Sequence, residues 1–103
     1  MKSKADLHND LYSLGQSSQA VAASLRAKKI KGAQRRAYAY PIANYLKQAG
    51  YTNPIVGCMG IIYGEKDDAT TAHTPSFIEH FLHDFDSGVY PDLIDEAAIE
   101  CSF

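Results

Sequence analysis

The sequence predicts a single α+β domain: three helices in the first half, a short antiparallel hairpin or three-stranded meander, and an amphipathic helix that closes the core. Three observations carry this reading. Apolar residues recur at helical spacing as far as Ala49, then give way to short β-branched runs over residues 54–63. Phe77, Ile78, Phe81, Leu82 and Phe85 then form one continuous apolar stripe at helical spacing. The chain has 103 residues, and a second core would need roughly another 50. A chain of this size buries about two thirds of its unfolded surface, enough for a modest core without staples.

The first helix is expected over Asp6–Leu14, where Leu7, Leu11 and Leu14 line one face and Gly15 is the stop. Ser17 or Ser18 is the N-cap of a second helix running to about Lys28, with Val21, Ala22 and Leu25 inward. Tyr40-Pro41 sets the third start, because a residue before proline leaves the α region and proline suits the first helical position. That helix, Pro41–Ala49, turns Ile42, Tyr45, Leu46 and Ala49 to one side and ends at Gly50. Ala33–Ala39 reads either as a separate turn of helix or as the first half of a helix kinked at Pro41. Pro54–Cys58 and Ile61–Tyr63 read as strands joined at Met59-Gly60, and Ala69–His73 as a returning third strand. Thr74-Pro75 reads as cap and first residue of the last helix, which runs to about Asp86 and stops at Ser87-Gly88. Val89, Tyr90, Leu93 and Ile94 then dock on the core, and the last few residues are expected to be mobile.

Charge is sorted by half. Residues 1–50 hold nine Lys/Arg against two acids, and residues 51–103 hold one cation, Lys66, against ten acids. The whole-chain pI near 6.0 conceals this polarity. Arg26, Lys28, Lys29, Lys31, Arg35 and Arg36 concentrate the positive charge within eleven residues. Such a block serves as a nucleic-acid face, as a solvated helix end, or as a surface that pairs with the acidic half within or between chains. No apolar run approaches the roughly 18 residues of a membrane span, and Met1–Leu14 is polar and periodic, unlike a signal peptide. The expectation is a cytoplasmic protein with reduced thiols at Cys58 and Cys101.

Motifs for chemistry are sparse. His73, His80 and His83, with Glu79 and Asp84 beside them, are the weak candidates for a metal site. His80 and His83 nevertheless fall opposite the apolar stripe, where any solvated helix carries polar groups. Cys58 lies in a hydrophobic run and reads as a small buried hydrophobe. The chain shows no glycine-rich phosphate loop, nucleophile elbow or paired-carboxylate motif, so no catalytic residue and no cofactor is assigned. Tyr38, Tyr40, Tyr45 and Tyr90 are the aromatic candidates for contact with a partner.

Ile30-Lys31-Gly32, the segment Pro41-Ile42-Ala43-Asn44-Tyr45-Leu46 and the segment Phe85-Asp86-x-Gly88-x-Tyr90-Pro91-x-Leu93 together resemble a group of small uncharacterised bacterial proteins. The resemblance covers roughly residues 17–94 and implies a helical first half, short strands and a terminal helix. In that group a Cys precedes the Pro-x-Ala-x-Tyr-Leu segment; here the position is Tyr40. It implies no activity.

The expected function is therefore binding without catalysis, as a protein–protein interaction or accessory domain, with self-association included. The alternative is a winged-helix-like nucleic-acid-binding domain that uses Arg26–Arg36, and the third reading is an enzyme whose site has no sequence signature.

Overall fold

Ser3 opens the first helix with a capping box: its hydroxyl accepts from the Asp6 amide at 3.1 Å, and the Asp6 carboxylate accepts from the Ser3 amide at 2.9 Å. The structure, a computed structural model, describes residues 3–65 and 67–94. Among these residues the chain forms helices α1 (Lys4–Tyr12), α2 (Ser18–Ala27), α3 (Pro41–Gln48) and α4 (Ser76–Asp86). The strands are β1 (Ile55–Val56), β2 (Ile61–Glu65) and β3 (Asp68–Ala72), and a short 3-10 turn spans Pro91–Leu93. The α+β outline expected from the sequence is the observed one, with the three-stranded meander rather than the lone hairpin. Cys101 and the last few residues lie outside the described residues.

The helix starts differ in detail from expectation. Ser17, not Ser18, caps α2, accepting from the Ala20 amide at 3.1 Å. Ser18 is used in tertiary structure: its hydroxyl donates to Asp84 at 2.6 Å and lies 2.6 Å from the Tyr90 hydroxyl. Thr74 does not cap α4, whose N-cap is Pro75. The buried Thr74 hydroxyl donates to the Gly57 carbonyl at 2.6 Å, tying the strand loop to the helix start. Helices α2 and α3 are joined by residues 28–40, far more than the 3–4 residues that join a helix-turn-helix pair.

The sheet has the order β1-β2-β3 with both pairings antiparallel. The first strand is shorter than expected and the second longer. Their loop is Gly57–Gly60, closed by Gly57 donating to the Gly60 carbonyl at 3.0 Å. Alternation then sorts the faces: Val56, Ile61 and Tyr63 are buried, whereas Ile55 and Ile62 are exposed on the outer face. Cys58 sits in the loop and is an exposed free thiol, not a buried strand residue. The two-residue strand ends before it, so no alternation turns it inward.

The core gathers the stripes of all four helices over the inner sheet face. Phe77, Ile78, Phe81, Leu82 and Phe85 are all buried, and α4 packs across α2. Phe81 stacks on Phe85 with ring centroids 6.0 Å apart and on Tyr90 at 5.5 Å. No helix among the described residues is long and apolar enough to cross a membrane.

Two buried phenols brace this core through carboxylates. Tyr40 donates to Asp86 at 2.5 Å and Tyr51 to Asp10 at 2.7 Å. Burial, and then the hydrogen bond to the carboxylate, push both phenols well above their ordinary value of 10.0. The unfolded chain ionises these groups first, so their contribution to stability is complete below about pH 10 and falls as pH rises beyond it. The urea midpoint is therefore expected to hold between about pH 8 and 9.5 and to drop above 10, less steeply in a Tyr40→Phe, Tyr51→Phe variant. A parent midpoint that is flat to about pH 12 would contradict this.

Candidate functional site

Helices α2, α3 and α4 end in the same motif, and only one of them departs from its usual residue. In each, the amide of the second residue past the cap bonds back five residues: Ile30 to Leu25 at 3.0 Å, Tyr51 to Leu46 at 3.0 Å and Val89 to Asp84 at 3.0 Å. This Schellman closure needs a left-handed residue in the middle, where glycine is favoured. Gly50 (φ 103°) and Gly88 (φ 86°) fill that place after α3 and α4. After α2 it is Lys29, at φ 59°. Arg35 is also left-handed, at φ 58°, a conformation that costs a residue with a Cβ roughly 1–2 kcal/mol. Two cations of the basic block thus stand on backbone that does not favour them.

The loop that carries the block is held at both ends. The Gly32 amide donates to the Leu93 carbonyl at 2.9 Å, and Ala33 donates to Ala39 at 2.8 Å. A Cβ on Gly32 would lie 2.3 Å from the Ala39 oxygen and 2.5 Å from the Pro41 nitrogen, so the chain crosses itself where no side chain fits. Residues 33–39 are neither of the helical forms expected from the sequence but a clasp on the end of α4. The Arg35 amide donates to the Asp86 carboxylate at 2.8 Å, and Gln34 donates to the Phe85 and Asp86 carbonyls at 2.9 and 3.2 Å.

The basic residues divide within this frame. Arg26 turns to the acidic half and pairs through two nitrogens with Asp92, the second contact at 3.1 Å. That hydrogen bond holds the Asp92 carboxyl below its usual range. The Arg26 guanidinium also lies 5.7 Å from the Tyr90 ring centroid. Lys28, Lys29, Lys31 and Arg35 are exposed and make no ion pair among the described residues.

Helix α3 adds Lys47 to the block, and Lys47 and Arg36 meet at one aromatic. Tyr38 is 56% exposed; its hydroxyl accepts from Arg36 at 3.0 Å and its carbonyl accepts from Lys47 at 2.9 Å. Asn44 donates to the Lys31 carbonyl at 2.6 Å, and the Lys28 ammonium lies 6.0 Å from the Tyr45 ring centroid. Arg36 and Lys47 thus bond Tyr38 itself, whereas Lys28 lies near Tyr45 of α3 and Lys31 is tied to the helix through its carbonyl. Lys47 was absent from the sequence-derived set, although its place off the face of Ile42 and Leu46 puts it on the exposed side of that helix. Lys29 flanks the group and shares with Lys31 a shallow depression of about 320 Å³ floored by Ile30 and Leu93.

The other aromatic candidates are structural. Tyr40 and Tyr90 are buried, their hydroxyls bonded to Asp86 and Ser18. Tyr45 is half-buried and donates to the Asp10 carbonyl at 3.0 Å. The histidines do not converge on a metal: no group of three or more His, Cys, Asp or Glu among the described residues is placed to hold an ion. His80 and His83 instead line, with Cys58, Glu79, Asp84 and Ser18, an open depression of about 460 Å³. His73 lies apart, in a groove with Lys4 and His8.

Comparison with protein-family models, with curated proteins and with solved structures finds no match to this chain. Its function is read from this geometry alone.

Proposed function

We propose that the protein is a non-catalytic binding domain whose ligand is single-stranded nucleic acid, held on the face formed by residues 28–38 and α3. The observation that carries this reading is the exposed Tyr38, whose ring hydroxyl accepts from Arg36 and whose main-chain carbonyl accepts from Lys47. An aromatic platform flanked by cations suits base stacking together with phosphate contact. Lys28, near the Tyr45 ring, and the exposed Lys31, whose carbonyl is tied to Asn44, add positive charge beside α3. Lys29 and Arg35 support the same reading, since charge is kept there on backbone where glycine costs less. The ligand lies across a loop surface, in place of the inserted recognition helix of a winged-helix domain.

Fluorescence anisotropy with mixed-sequence single-stranded oligonucleotides tests this. Affinity is expected to fall steeply, by roughly 10²-fold or more, between about 50 and 200 mM salt, as phosphate neutralisation by several cations requires. Tyr38→Ala is expected to remove about 1–3 kcal/mol of binding with little change in the salt slope, because stacking is not ionic. Arg36→Glu with Lys47→Glu is expected to abolish binding. The absence of binding at low salt, or binding indifferent to Tyr38, would refute the assignment. An acidic protein ligand would show the salt slope without the loss at Tyr38.

A further inference from the structure

Among the described residues strand β3 has one paired edge and one free edge, and the free edge is built to meet itself. The Gly64 amide donates to the Thr52 carbonyl at 2.7 Å, away from β3. The Gly64–Ala69 pair is therefore one of the pairs that exchange no bonds, and alternation along the ladder makes Ile62–Thr71 another. Ala69 and Thr71, both exposed, thus aim their N–H and C=O groups at the free edge. The strand Asp-Ala-Thr-Thr-Ala has no Pro and no Lys, two of the devices that ordinarily block edge pairing.

Beside that edge, between β3 and α1, lies a groove of about 240 Å³ lined by Lys4, His8, Thr71, Ala72 and His73 among others. Its ionisable groups are basic, whereas the opposite end of β3 carries Asp67 and Asp68. We infer that a second copy of this chain adds to β3 antiparallel, about a two-fold axis at Thr70. Ala69 then faces Thr71 of the second copy and exchanges both main-chain bonds with it. The axis repeats the exchange, so the two meanders join into one continuous sheet. In this register Asp68 falls opposite Ala72 and Asp67 opposite His73, which brings the carboxylates of each copy to the basic groove of the other. Sliding the axis to Ala69 or Thr71 keeps the main-chain bonds but loses this match. Charge therefore fixes the register as well as the partner.

Sedimentation equilibrium at low salt, over about 10–500 µM, tests this in the range of a small interface. The parent is expected to rise from the 11.3 kDa monomer toward twice that mass, and to shift back toward monomer at about 1 M salt. Thr71→Pro removes an amide that makes no bond to β2, so it is expected to keep the parent circular dichroism while weakening the dimer at least tenfold. Asp67→Lys is expected to weaken it similarly, and Asp67→Lys with His73→Glu to restore it. A parent that stays monomeric overturns the inference, as does a folded Thr71→Pro variant that dimerises like the parent. Should Thr71→Pro fail to fold, the charge pair decides: no recovery in the double variant rejects the two-fold register.

Discussion

Phe81→Ala is expected to cost about 3–5 kcal/mol, the sum of lost apolar transfer and the cavity left behind. The residue has no exposed surface, and it stacks on both Phe85 and Tyr90. Its removal therefore empties the centre of the contact between α4, α2 and the returning segment at Tyr90. A small domain is stable by only about 5–15 kcal/mol, so the variant should be largely unfolded or molten near physiological temperature. His80→Ala, next to it on the solvent face, should change stability by about 0.5 kcal/mol or less. Urea unfolding of the pair checks both, and equal losses would mean that the exposed face of α4 is misassigned.

Gly32→Ala should be nearly as damaging, although it adds a single methyl group. The atoms its Cβ would meet, the Ala39 oxygen, the Pro41 nitrogen and the Tyr40 carbonyl carbon at 2.3, 2.5 and 2.7 Å, are all backbone. No side-chain rotation relieves the clash, so the loop must part from the start of α3. Overpacking costs typically about 1–3 kcal/mol, and a contact with three fixed backbone atoms belongs at the upper end, about 3 kcal/mol. The damage has a second readout. Gly32 holds Lys31 against Asn44 and the 33–39 loop against α3, so the arrangement of cations around Tyr38 should loosen. Thermal melting shows the first effect and oligonucleotide affinity the second; an unchanged melting point would mean that the loop does not cross there.

The fold was legible where burial imposes a period. The stripe on α4 and the Leu7, Leu11, Leu14 series define their helices because one face alone can be buried. Pro41, Gly50 and Gly88 mark helix ends by local backbone chemistry. What could not be read lies where long-range bonds decide. Thr74 looks like a cap, but its hydroxyl is taken by the Gly57 carbonyl, a partner seventeen positions away. Residues 33–39 are shaped by Asp86 and Leu93, which sequence spacing does not bring near. The candidate site was half visible: the block from Arg26 to Arg36 stood out as charge, but its division did not. Arg26 is drawn off by Asp92, and Lys47 is added from a helix read only for its buried side.

The depression beside Cys58, His80 and His83 shows the difference between proximity and a site. A thiol, two imidazoles and carboxylates share its walls, yet no three of the described ligand-type groups are spaced for an ion. Its Ser18 and Asp84 are bonded to each other within the tertiary contact that also takes in Tyr90.

Lys29→Gly tests most directly whether the basic face exists for binding. Glycine suits the left-handed position after α2, as it does after α3 and α4, so the variant should unfold about 1 kcal/mol harder than the parent. Loss of one phosphate contact should at the same time weaken oligonucleotide binding and reduce the salt slope by about 1. Stability gained and affinity lost in one substitution is the predicted result. A Lys29→Gly protein that is more stable and binds as tightly as the parent, with the same salt slope, would show that the lysine is not kept there to hold a polyanion.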